Sequence, residues 1–149
     1  MKENLQTDSI RVLIVDDEVG FVDILTKRLS RRNMEVTAAY SGTEAIQILR
    51  KQEFDVTVLD LKMEEMDGIE VLKIFKKMDP KMMVIMLTGH ATVESAIEGM
   101  KLGAYDYLMK PCDMDTLMAK VNEARAKKAK HEDKILEAQM KEITLRRGF

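Results

Sequence analysis

Ile10-Arg11-Val12-Leu13-Ile14-Val15-Asp16-Asp17 is an apolar run that stops on two adjacent acids. The run Val56-Thr57-Val58-Leu59 stops on Asp60, Met82 to Leu87 is followed by Thr88, and Tyr105 to Met109 is followed by Lys110. Short, continuously apolar runs are expected of strands covered on both faces. Helical patterns lie between them, and that alternation predicts a parallel sheet with helical crossovers. In such a sheet the carboxyl ends of the strands share one edge, and ligands bind in the crevice outside it. Asp16, Asp17, Asp60, Thr88 and Lys110 are therefore predicted to converge there.

Three carboxylates brought together repel one another, which raises their pKa values above about 3.9 unless a cation neutralises them. Mg²⁺ is the expected cation, because it takes oxygen ligands and is commonly held by one or two carboxylates plus a phosphate oxygen. Asp60 stands alone at its strand end and is the candidate nucleophile; attack on phosphorus would give an aspartyl phosphate. Phosphoryl transfer leaves charge on the equatorial oxygens. Lys110 and the Thr88 hydroxyl supply a cation and a hydrogen bond for them.

The words IVDDE, VLDLKMEEMDG, VIMLTGH and AYDYLMKP, in this order, resemble the receiver domain of bacterial two-component response regulators over residues 8 to 124. The resemblance implies a stand-alone phosphoacceptor that takes a phosphoryl group from a sensor histidine kinase or phosphotransfer protein onto Asp60 and signals to a downstream protein target. It implies that Asp17 and Asp60 ligate Mg²⁺ directly, that Asp16 helps through a water, and that the Lys62 carbonyl is a further ligand. Thr88 would bond the phosphoryl group and Lys110 would pair with it, held by a Lys110–Pro111 peptide that is cis in the family. Tyr107 falls at the family's aromatic switch position, moving inward as Thr88 shifts. His90 and the Lys62 side chain lie where the family tunes phosphate lifetime.

One stretch departs from the family pattern. A Met-Pro-Gly turn usually follows the acceptor, whereas this chain reads Lys62-Met63-Glu64-Glu65-Met66-Asp67-Gly68. Losing Pro removes a fixed φ. Glu64 and Glu65 add negative charge near a site that must accept an anion, which is expected to slow phosphorylation or shift metal affinity.

Strands are predicted near 10–15, 35–39, 56–60, 82–88 and 105–109, with helices near 19–32, 42–52, 68–78, 92–101 and from 114 onward. Ser41-Gly42-Thr43-Glu44 reads as a capping box. The implied fold is α/β, a flavodoxin-like doubly wound five-stranded parallel sheet of order 2-1-3-4-5 with a C-terminal helical extension. That order brings the first and third strands together at the switch point.

With 46% hydrophobic residues, the 149-residue chain can bury a core. No apolar stretch approaches the roughly 20 residues of a membrane span, and Met1-Lys2-Glu3-Asn4 opens no signal peptide; the expectation is a cytoplasmic protein without a membrane partner. Cys112 is the only cysteine, so it forms no internal disulfide, and it is expected to be a small buried hydrophobe. Of the thirteen Met residues, Met82, Met83 and Met86 read as core filling. Met100, Met109, Met114 and Met118 cluster around the fourth helix, fifth strand and fifth helix, the face by which the family meets partners or a second copy, and core packing is expected to explain at least some of them.

Residues 125–149 form a basic amphipathic helical tail, with eight Lys or Arg against four acids; its net +4 leaves −6 on residues 1–124 and gives the total of −2. Leu136, Met140 and Ile143 mark an apolar stripe that must face its own domain, a twin copy in a homodimer, or a partner. The basic stretch 125–130 carries no recognisable nucleic-acid module, so nucleic acid is not the expected partner. Two alternatives stay open. One is a phosphatase with an aspartyl-phosphate intermediate, disfavoured because such enzymes carry Asp-x-Asp after the first strand. The other is a receiver fragment of a larger DNA-binding or ATPase transcriptional regulator.

Overall fold

The computed structural model describes residues 9–146 except Ala91. The opening tetrapeptide, residue 8 and residues 147–149 of the tail lie outside the described residues. Five strands, β1 (Ile10–Val15), β2 (Met34–Ala39), β3 (Val56–Leu59), β4 (Met83–Thr88) and β5 (Asp106–Met109), alternate with five helices. These are α1 (Val19–Ser30), α2 (Gly42–Leu49), α3 (Gly68–Met78), α4 (Val93–Lys101) and α5 (Met114–Arg146). Every strand pair is parallel, in the order β2-β1-β3-β4-β5. This is the flavodoxin-like doubly wound sheet with a C-terminal helical extension, with element ends that coincide with those expected or fall within three residues of them.

Because side chains alternate along a strand, the sheet feeds two cores. Leu13, Val15, Leu59, Val84 and Met86 pack with Ala45 of α2 and Val71, Leu72 and Phe75 of α3. On the other face Val12, Ile14, Val58, Ile85 and Leu87 pack with Val22, Leu25 and Leu29 of α1 and Leu117 and Val121 of α5. Each fully buried aliphatic side chain contributes about 2 kcal/mol through burial. Met82 and Met86 are fully buried, as core filling requires, and Met83 partly so. The other four methionines divide: Met114 and Met118 pack against the α1–α5 core, while Met100 and Met109 are exposed.

Local signals hold α2 in a modified form. The Ser41 hydroxyl accepts from the Glu44 amide, but the Glu44 carboxylate reaches past Ser41 to the Tyr40 amide at 2.7 Å. The expected box is therefore half formed, with its return bond made one residue earlier. A reciprocal box does form at α4, between Thr92 and Ser95, where a Ser replaces the usual Glu.

At the amino end of the sheet, Asp55 fastens α5. Its carboxylate accepts the Arg11 amide at 2.9 Å and pairs with Lys128 at 3.0 Å and Arg125 at 3.5 Å. Beyond that clasp, Leu136, Met140 and Ile143 remain about half exposed. Cys112 is half-buried rather than buried, at the rim of a groove between α1 and α5. Burial, and secondarily the Asp113 charge, push its thiol above the ordinary value.

Candidate functional site

β1 and β3 pair directly, with Val15 opposite Leu59, so the residues after each strand emerge side by side. Asp16 and Asp60 are buried, at 2% and 4% exposure, and Asp17 is half-buried. The three carboxylates offer oxygens that all lie within 4.8 Å of one another. Thr88 ends β4 with its side chain fully buried, and Lys110 follows β5. The predicted convergence at the carboxyl edge is thus present, and the Lys110–Pro111 peptide is cis.

Each group has a defined partner. One Asp16 oxygen accepts the Glu18 amide at 2.9 Å and the other accepts Lys110 Nζ at 2.7 Å. Asp17 Oδ2 accepts the Glu64 amide at 3.0 Å, and Asp60 Oδ1 accepts the Lys62 amide at 3.4 Å. Lys110 Nζ also pairs with Glu18 Oε1 and stands 4.3 Å from the Phe21 ring centroid. The Thr88 hydroxyl oxygen accepts the His90 amide at 3.1 Å, while the His90 side chain is exposed.

Burial raises the Asp16 carboxyl above the usual carboxylate range, with the Asp60 charge adding a smaller push; Lys110 and the Glu18 amide act the other way. Desolvation rather than mutual repulsion is thus the larger cause, a correction to the repulsion argument. Burial tends to lower the Lys110 ammonium, but its bonds to Asp16 and Glu18 outweigh that and hold it above the ordinary lysine value.

The departure from the family pattern now has a physical account. In place of Pro, Met63 and Met66 anchor the loop in the core, and an isolated bridge between Lys62 and Asp67 narrows it. The Glu65 carboxylate accepts the Thr43 amide at the start of α2, satisfying one of that helix's free donors, while the Glu64 amide serves Asp17. Tyr107 is 38% exposed and lines a groove of about 410 Å³ with Val93, Ala96, Ile97, Met100 and Lys101.

The donor set suits a hard divalent cation. Asp17 Oδ1 and Asp60 Oδ2 have no hydrogen-bond partner among the described residues, whereas both Asp16 oxygens are engaged. Carboxylate oxygens of this kind fit Mg²⁺, which keeps several of its waters. Reading strand ends alone misses Glu18 and Phe21. Glu18 completes the word IVDDE and Phe21 lies three residues on, but nothing in that local pattern points either of them at Lys110.

A family model described as response regulator receiver domain matches residues 12–122. The transcriptional regulatory protein ZraR of Escherichia coli is 41% identical over 119 residues, 80% of this chain and 27% of that protein. The chain therefore spans about a quarter of the length of that relative. Among solved structures, a CheY-like receiver domain from Methanospirillum hungatei has a TM-score of 0.80 at 31% identity, covering 82% of this chain and 98% of that one. A receiver domain from Clostridium thermocellum has a TM-score of 0.77 at 35% identity, covering 80% and 97%. Receiver domains are regulatory phosphoacceptors of two-component signalling, not enzymes with turnover; they use Mg²⁺ and work with histidine kinases or phosphotransfer proteins. With most of its length matched and the acidic cluster at the expected edge, the chain belongs to the response regulator receiver domain family.

Proposed function

We propose that Asp60 is the phosphoacceptor, receiving a phosphoryl group from a histidine kinase or phosphotransfer protein. The observation that carries this is the placement of a nearly buried carboxylate at the end of β3, beside two further acids and within the field of the Lys110 ammonium. An Asp60 oxygen forms the new O–P bond as the P–N bond of the donor phosphohistidine breaks. The imidazole leaves with the electron pair and is protonated by solvent. Lys110 and the Thr88 hydroxyl then bind the phosphoryl oxygens. Asp17 and Asp60 would hold Mg²⁺ directly, with Asp16 acting through a water and the Lys62 carbonyl as a further ligand. Mg²⁺, when bound, supplies positive charge that offsets the carboxylates and the phosphoryl oxygens.

The output runs through Thr88 and Tyr107. In the present state Thr88 is held by the His90 amide and Tyr107 faces the α4 groove. Bonding of Thr88 to the phosphoryl group would free room for Tyr107 to turn inward and reshape that groove, where a downstream protein docks. Residues 8–124 form the receiver unit and residues 125–149 a contact tail, whose exposed Leu136, Met140 and Ile143 face a second copy or a target. Among the described residues no helix is long and apolar enough to cross a membrane, which supports a cytoplasmic place of action.

A second reading is favoured by the share of ZraR that is matched, 27%. In it these residues are the receiver portion of a larger transcriptional regulator, and α5 leads to an output domain. Acetyl phosphate with Mg²⁺, followed by intact-mass analysis and borohydride trapping, tests the first reading. One phosphoryl group on Asp60 is expected; equal labelling of Asp60→Asn would overturn the assignment.

A further inference from the structure

Glu18 occupies the N-cap of α1, yet its side chain makes no cap bond. N-cap positions favour Ser, Thr, Asp and Asn, whose short side chains turn back onto the first free amides. Glu is one methylene longer than Asp, and here its carboxylate is extended to Lys110 Nζ. The first turn of α1 is thus left without a side-chain cap while the carboxylate serves a residue 92 positions away.

Lys110 is consequently held by three neighbours: Asp16 at 2.7 Å, Glu18, and the Phe21 ring at 4.3 Å. Among the described residues no ion pair joins it to Asp60; that carboxylate acts on the ammonium only at longer range. Of the two carboxylates that grip Lys110, Asp16 is almost wholly buried, whereas the Glu18 side chain is 62% exposed. Glu18 is the partner that can yield.

Resting on the acceptor reading above, we propose that Glu18 is a positioning residue that competes with the incoming phosphoryl group for Lys110 and thereby slows phosphorylation of Asp60. The phosphoryl oxygens need the ammonium as they approach the acceptor. The Glu18–Lys110 pair must open first, because the glutamate and the phosphoryl group draw on the same cation. A pair exposed on one side is weak, so the barrier it adds is small and measurable. Releasing it speeds the reaction by about two- to fivefold.

Initial rates of labelling by acetyl phosphate at fixed Mg²⁺ decide this, on the parent, Glu18→Gln, Glu18→Asp and Asp60→Asn. Glu18→Gln removes the charge. Glu18→Asp keeps the charge but withdraws it from Lys110 and offers α1 a favourable cap, so the variant folds. Both Glu18 variants are expected to label about two- to fivefold faster than the parent. Parent-like rates in both would overturn the proposal. A fast Glu18→Gln beside a parent-like Glu18→Asp would also overturn it, because the carboxylate would then be repelling the donor directly and not acting through Lys110. The Asp60→Asn arm separates the two readings. If that variant labels like the parent, the acceptor assignment fails; if it is silent while the Glu18 variants match the parent, only the competition fails.

Discussion

The Gly68 amide donates to the Leu61 carbonyl at 2.8 Å, which presses the first residue of α3 against the backbone that follows Asp60. A Cβ at position 68 would lie 2.4 Å from Leu61 Cα and 2.6 Å from the Asp60 carbonyl oxygen. Those contacts are with main chain, so no side-chain rotation relieves them. Gly68→Ala is expected to destabilise the fold by about 1–3 kcal/mol, the scale of overpacking, and to slow labelling of Asp60 by displacing its loop. Urea melts and acetyl phosphate kinetics check both effects; a fully stable, fully active variant would show that the loop moves freely.

Removing one charge from the acidic cluster is expected to help the metal-free protein. In chelator, Asp60→Asn should exceed the parent in stability near neutral pH, because one charge leaves a cluster of three carboxylates. The substituted amide can keep its oxygen on the Lys62 N–H. With saturating Mg²⁺ the parent recovers the difference by ligand linkage. Urea melts of both proteins in each condition measure it, and a parent that is the more stable in chelator would count against clustered charge as a cost.

Cys112 should be a sluggish nucleophile. Burial and the neighbouring Asp113 raise its thiol, so the inflection in alkylation rate against pH should lie above the ordinary value of about 8.5. The fold favours the neutral thiol, so the linked stability is intact below that value and declines as pH rises through the higher folded value. Iodoacetamide kinetics on the native protein, compared with the urea-unfolded chain, report the shift; an inflection at or below the unfolded value would contradict it.

Truncation after Ala124 should leave phosphorylation within a few fold, since Asp16 to Pro111 hold the site. It removes Arg125 and Lys128 from Asp55, a loss of about 1 kcal/mol for a partly exposed pair. It also removes the stripe of Leu136, Met140 and Ile143. Sedimentation and target binding should change. A truncated protein that folds but cannot be phosphorylated would place the tail in the site.

The strands and their terminal residues were legible because two-sided burial writes itself as a continuous apolar run, and because a parallel sheet sends every such run to the same edge. Asp16, Asp60, Thr88 and Lys110 needed nothing more. Glu18 reaching Lys110, Gly68 meeting Leu61 and Asp55 gripping Lys128 were not legible. Each is a meeting of residues brought together by the fold, and nothing in the local pattern around Asp55 distinguishes it from a solvated acid. Glu44 shows the same limit at short range: its spacing announced a bond back toward Ser41, and backbone geometry delivered it to Tyr40.

Asp55 stands just before β3 and Asp60 just after it, so the clasp on α5 and the acidic cluster are opposite ends of one four-residue strand. From Lys128 to Arg146 the helix runs about 27 Å at 1.5 Å per residue, meeting the domain once more where Glu132 pairs with Lys81 at 4.0 Å. A helix held at its base by such ionic contacts would act as a lever. A rotation of about 10° there would sweep the far end through about 5 Å, enough to bring an apolar stripe into or out of register with whatever it meets.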